Sequence, residues 1–153
     1  MVRRIAVRGI VINTSGQLFA IRLKPYNEMK SIKETWWCLP GGGLDAGESL
    51  QKGLEREILE ELGVGAKVGS LLYVHQFAFN GIEHLEFFFH IANHEGFGNI
   101  DLAKTTHGAH EIAELGFVNP KSTNLKPIFL GQENIVKQIV QNQPPKIFDY
   151  LDS

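Results

Sequence analysis

The feature that most constrains this chain is a glycine-rich turn that runs directly into a short acidic helix. The turn reads Gly41-Gly42-Gly43-Leu44-Asp45-Ala46-Gly47-Glu48, and the helix carries Arg56-Glu57-Ile58-Leu59-Glu60-Glu61-Leu62 before Gly63-Val64. Residues three and four apart on a helix are neighbours, so Glu57, Glu60 and Glu61 project together. At about 100° per residue, Leu54, Ile58 and Leu62 form the adjoining apolar stripe, which puts the carboxylates at the margin of a buried face. Carboxylates held close repel one another unless a cation joins them, and an oxygen-only ligand set suits a hard ion such as Mg²⁺ or Mn²⁺. Taken alone, the helix also reads as a solvated acidic face with Arg56 and Glu60 as an ordinary ion pair. The glycines ahead of it change that reading, because glycine permits positive φ and lets backbone approach a ligand closely. Together, turn and helix point to a metal and phosphate site.

Composition narrows the alternatives. At 153 residues, the whole chain (1–153) reads as one domain with a substantial core. A net charge of −2 gives no global basic field, so no nucleic-acid polymer is expected as partner. The single cysteine, Cys38, excludes an internal disulfide and a cysteine-rich zinc site, and it follows two tryptophans as a small packed residue. Arg8 interrupts the apolar start, which argues against a signal peptide, and no run approaches a membrane span. Cytoplasmic location is the resulting expectation.

Ile5–Asn13 and Leu18–Leu23 read as a strand hairpin across Thr14-Ser15-Gly16-Gln17. Lys24–Glu34 reads as a loop beside the site, and Thr35–Leu39 as a short strand ending at Pro40. The spacing predicts a helix over Ser49–Leu62, stopped by Gly63 and Gly65. Asn80-Gly81 between Lys67–Phe79 and Ile82–Ala92 is a strong hairpin signal. In the second of these strands, alternation assigns Leu85, Phe87, Phe89 and Ile91 to the core face. Asn93–His110 reads as a long polar loop and Ile112–Val118 as a final strand. Gly131–Gln141 reads as a second helix with Ile135, Val136, Ile139 and Val140 as its apolar face. Mixed strands with one central and one terminal helix indicate an α/β fold, an α/β/α sandwich.

From Gly42 through Glu48 to Arg56-Glu57-Ile58-x-Glu60-Glu61-x-Gly63-Val64, the spacing resembles the complete Nudix box, with no specified position departing from it. The preceding Trp37-Cys38-Leu39-Pro40-Gly41 resembles the usual approach to that box. The resemblance implies a mixed β-sheet between two helix layers, and Mg-dependent hydrolysis of a nucleoside diphosphate linked to another group. It implies Glu57, Glu60 and Glu61 as metal ligands, with Glu57 also orienting or deprotonating water. It implies further that the Gly42 carbonyl, or that of Gly43, completes the coordination. It also implies that Glu48 steadies the loop–helix arrangement or acts through a metal-bound water, and that Arg56 orients carboxylates by ion pairing rather than touching substrate. Relatives often add a carboxylate near the last strand; Glu111 and Glu114 are the two candidates, with surface charge as the plain alternative for each.

Around this centre, Arg8, Arg22 and Lys24 are candidate phosphate contacts or exposed strand charges. Tyr26, Trp36, Phe77 and Phe79 are candidate stacking groups or core aromatics, and Asn119 and Asn124 are base readers or turn residues. His107-Gly-Ala-His110-Glu111 lacks the order and helical setting of a zinc motif; either histidine is a candidate substrate contact or proton carrier. The expected partner is a small nucleotide, with a nucleoside triphosphate or its oxidised form ahead of ADP-ribose or a nucleotide sugar. A non-catalytic nucleotide sensor and a structural acidic-helix module are the alternatives from other classes. A homodimer is an option through the first hairpin's edges or the terminal helix.

Overall fold

The computed structural model describes residues 2–25 and 35–150. Tyr26 and all but the first two residues of the Lys24–Glu34 loop lie outside that set. Among the described residues, eight strands form two sheets. A five-stranded mixed sheet has the order β4-β1-β6-β5-β8, built from β1 (Val2–Ile10), β4 (Gly41–Gly43), β5 (Val68–Phe79), β6 (Ile82–Ile91) and β8 (Lys146–Tyr150). A three-stranded sheet has the order β3-β2-β7, built from β2 (Leu18–Leu23), β3 (Trp37–Cys38) and β7 (Ile112–Val118). In the larger sheet β1 runs parallel to β6 and antiparallel to β4, while β5 runs antiparallel to β6 and parallel to β8.

The first two strands correct the hairpin expectation. Their turn is present: Asn13 Oδ1 accepts from Ser15 N and Gln17 N, and Phe19 N donates to Val11 O. Beyond it the strands part into different sheets. Ala6, Val7 and Ile10 are all fully buried, so β1 is a central strand, and β4 and β6 occupy both of its edges. The Asn80-Gly81 turn matches expectation, with φ of 50° and 74° at its two residues, the left-handed pair that a tight hairpin requires.

Helix α1 (Leu50–Leu62) forms where its local signals place it. Ser49 caps the start by accepting from Lys52 N, and Gly63, at φ 72°, closes the end with its N–H on Leu59 O. Leu54, Ile58 and Leu62 are buried against Val7, Val11, Phe19, Phe89 and Ile91. Their burial contributes about 1.5–3 kcal/mol each. At Gly53, a weak helix former, a Cβ would meet the end of the Leu44 side chain, which would have to turn aside.

The sheet's other face is covered too, by Phe129, Leu130 and Ile135 over Ile10, Leu72, Tyr73 and Phe88. This corrects the one-faced reading of β6: Phe88 is fully buried and Glu86 is nearly so, because helices cover both faces. The predicted terminal helix is two short ones, α3 (Phe129–Gln132) and α4 (Ile135–Val140), with Asn134 capping the second. Its apolar face is also corrected. Val136 and Val140 are exposed, while Gln138 turns inward to donate to Leu72 O and Pro144 O. The long loop carries two 3₁₀ turns and helix α2 (Gly108–Glu111), anchored by buried Phe97.

Candidate functional site

The site forms where β4 meets α1. Gly41 has φ 141°, and a Cβ there would collide with Val7 O, so only glycine fits this crossing of β1. A Cβ on Gly42 would stand 2.7 Å from the Glu57 carboxyl, so the missing side chain is what lets that carboxylate lie against the strand. Gly41 N donates to Glu61 Oε1 at 2.9 Å. Strand and helix are thus joined through the acidic residues themselves.

Arg56 is the hub. Its Nε donates to Glu48 Oε2 at 2.6 Å and its second terminal nitrogen to Glu48 Oε1 at 2.9 Å, a bidentate pair. The other terminal nitrogen lies 3.1 Å from both Glu57 Oε1 and Glu60 Oε2, and Gly43 O also accepts a bond from the guanidinium. These bonds hold the Glu48 carboxyl down at about 2. Glu48 Oε1 also accepts from Asp45 N, which closes the loop ahead of the helix.

Glu61 differs from its neighbours. It is 5% exposed, and burial pushes its carboxyl up to about 8. Burial raises Glu57 as well, against the pull of Arg56. Desolvation therefore disfavours both groups as anions. Among the described residues, no three His, Cys, Asp or Glu side chains converge closely enough to cage a metal ion as they stand, and the Arg56 guanidinium is the cation between Glu57 and Glu60. The donor chemistry nevertheless fits a hard dication: oxygen ligands only, two of them destabilised as anions, beside a strand whose glycine admits close approach.

The other predicted residues fall in several places. Arg8, opposite Gly41 on β1, donates to Glu86 Oε2 at 2.9 Å and to Leu39 O at 3.4 Å. Arg22 and Glu114 face each other across β2 and β7 at 3.8 Å, with the Arg22 guanidinium 5.0 Å over the Trp37 ring. Trp36 is 40% exposed just before β3, and Phe79 is 61% exposed at the tip of the β5–β6 hairpin. Glu111 is exposed at the end of α2, where its charge acts on Glu61 and its carbonyl accepts Lys24 N. His107 brings Nδ1 to 3.3 Å from Glu60 Oε2. Asn119 serves its turn, with Oδ1 accepting from Lys121 N. The Cys38 thiol is pushed up to about 11 by burial, which suits a packed residue rather than a nucleophile.

Sequence reasoning missed Glu86 and Gly108. Glu86 was visible only as a charge inside Leu85-Glu86-Phe87-Phe88-Phe89. Gly108 packs on the α1 backbone, where a Cβ would strike Glu61 O.

The fold is shared with known structures. The E. coli ORF135 protein superposes with a TM-score of 0.69 at 21% identity, covering 94% of this chain and 96% of that one. Two curated relatives match more strongly in sequence but over shorter spans. A MutT-like protein of Streptomyces ambofaciens is 35% identical over 83 residues, 54% of this chain and 49% of the relative. An 8-oxo-dGTP diphosphatase of Haemophilus influenzae is 34% identical over 86 residues, 56% of this chain and 59% of the relative. The chain therefore spans about half to three-fifths of the length of these relatives. A far longer match, over residues 2–139, is to the NUDIX domain, and the chain belongs to that family.

Proposed function

We propose that this chain hydrolyses the pyrophosphate bond of a nucleoside triphosphate or its oxidised form, using a divalent cation, with Mg²⁺ first and Mn²⁺ second. The observation that carries the reading is the set of Glu57, Glu60 and Glu61 around Arg56, with Glu61 bonded to Gly41 beside the glycine strand. The named activity of the Haemophilus influenzae relative supports the choice of substrate class.

Glu57, Glu60, Glu61 and the Gly42 carbonyl would hold the cation. When bound, it neutralises phosphate charge and makes water easier to deprotonate. Glu57 would orient the attacking water and take its proton. The water oxygen bonds to phosphorus as the bridging P–O bond breaks, giving a nucleoside monophosphate and pyrophosphate. Glu48 and Arg56 act on the other carboxylates. Their bidentate pair fixes the guanidinium, which fixes Glu57 and Glu60.

The test is product analysis with nucleoside triphosphates, oxidised dGTP, ADP-ribose, dinucleoside polyphosphates and nucleotide sugars, with Mg²⁺ and with EDTA. The expected result is cation-dependent release of a monophosphate and pyrophosphate from one triphosphate. Release of AMP and a sugar phosphate from ADP-ribose would transfer the assignment to the nucleotide-sugar class. Tight nucleotide binding without turnover of any compound would mark a sensor.

A further inference from the structure

A second charged cluster lies on the opposite face of the main sheet and is joined to the glutamate site by one residue. Arg8 on β1 sits across from Gly41, and its Nε donates to Glu86 Oε2 at 2.9 Å. Glu86 Oε1 lies 3.7 Å from His75 Nδ1, an electrostatic contact rather than a hydrogen bond at that length. The His75 ring is itself held, stacked on Phe77 at 4.5 Å and edge-on to Phe129 at 5.5 Å. Glu86 and His75 are 8% and 6% exposed, whereas the Arg8 side chain keeps 19% of its surface open.

Stability alone is a weak reason for this arrangement. Leu85, Phe87, Phe88 and Phe89 surround Glu86 in sequence, and a buried ion pair is often no better than well-packed apolar residues of the same volume. What Glu86 does provide is a fixed Arg8. The Nε bond, with a second from the guanidinium to Leu39 O, sets the plane of the fork and leaves its remaining N–H groups for another acceptor. Arg8 also stands beside the glutamate site, because its register partner Gly41 donates its N–H to Glu61 Oε1. Burial alone would raise the Glu86 carboxyl, but His75 and Arg8 outweigh it and hold the group at about 2, so the anchor stays ionised.

We propose that Arg8 contacts the substrate's phosphates and that Glu86 and His75 are positioning residues acting through it. This rests on the hydrolase reading for the identity of the anion, but its test needs no turnover. Binding of the α,β-methylene analogue of dGTP, and separately of inorganic pyrophosphate, would be measured calorimetrically with Mg²⁺ on the full chain. The proteins would be wild type, Arg8→Ala, Arg8→Lys, Glu86→Gln, His75→Gln and the Arg8→Ala/Glu86→Gln double variant. Arg8→Ala and Glu86→Gln are each expected to weaken both probes about tenfold, and the double variant no further than Arg8→Ala alone. Arg8→Lys keeps the charge but loses the fork, and is expected to lose nearly as much. In turnover, the Glu86→Gln loss should fall mainly on KM.

Losses that multiply in the double variant would overturn the relay, as would a Glu86→Gln protein that melts lower but binds normally. Should Glu86→Gln not fold, Arg8→Lys and His75→Gln carry the test, and normal binding by both overturns the proposal. Weakened analogue binding with unchanged pyrophosphate binding would move the contact to the nucleoside and overturn the phosphate assignment. A wild-type protein that binds neither probe yet hydrolyses a compound in the substrate panel would sink this inference and leave the hydrolase reading standing.

Discussion

The two faces of the five-stranded sheet each carry a buried apolar cluster, assembled by different routes. On the α1 face, the strand of glycines, the Asp45–Glu48 turn, the capped helix and its stop follow one another from Gly41 to Gly63 with nothing inserted. The opposite face is assembled from Arg8 on β1, His75 on β5, Glu86 on β6, Phe129 on α3 and Phe148 on β8. Charges are held differently as well. Arg56 binds partners in its own helix and the turn just before it, and its fork is fully engaged by them. Arg8 is held by residues far away in sequence. The contrast teaches that a short-range site keeps its geometry as long as its helix forms, while a long-range site depends on the register of every strand beneath it.

The largest expected effect isolates chemistry on the local face. Glu57→Gln should lower kcat by about a thousandfold or more, equivalent to about 4 kcal/mol of barrier, while the melting temperature stays near wild type. Near-normal turnover would remove Glu57 from the mechanism. Next is the joint between the faces. Gly41→Ala should destabilise the fold by about 3 kcal/mol or more, read from urea unfolding, because its backbone lies at φ 141° and the new methyl meets Val7 O. A stable Gly41→Ala protein would mean that β4 can leave β1 at no cost.

Acid sharpens the comparison on the distant face. The Glu86 carboxyl lies at about 2 in the folded protein against an ordinary 4.5. A depressed carboxyl stabilises the fold above its unfolded value and loses that contribution as pH falls through the folded one. The window therefore runs from about 4.5 down to about 2 and amounts to at most about 3 kcal/mol. Unfolding free energies should fall more steeply across it for wild type than for Glu86→Gln, and parallel slopes would detach the pair from acid stability. The smallest effect is at the surface of the same layer. Val140→Thr should change stability by no more than about 0.5 kcal/mol, because Val140 is 76% exposed, whereas a loss of more than 1 kcal/mol would restore it to a buried face.

Where the reading from sequence succeeded, the signals were close together. Ser49 and Gly63 bound α1, Asn80-Gly81 made its hairpin, and Ile112–Val118 is a strand as read, although it is not the final one, because β8 follows it in the C-terminal segment. Where it failed, a distant partner decided. Periodicity put Val136 and Val140 inside, but Gln138 is turned inward by the Leu72 and Pro144 carbonyls. Alternation in β6 assumed one buried face, and α3 supplied a second. The Leu18–Leu23 strand follows a real turn, yet its neighbours are β3 and β7, because β4 and β6 had taken both edges of β1.

By itself, the sequence determined the family, the acidic helix and the spacing of its glutamates, because caps, glycines and a helical repeat act within a few residues of one another. Only the tertiary structure decided that Glu61 is buried on Gly41 N and that Glu86 stands behind Arg8. Each of those outcomes depends on desolvation and on the direction of a hydrogen bond, and neither exists until strands and helices from separate parts of the chain have closed around the group.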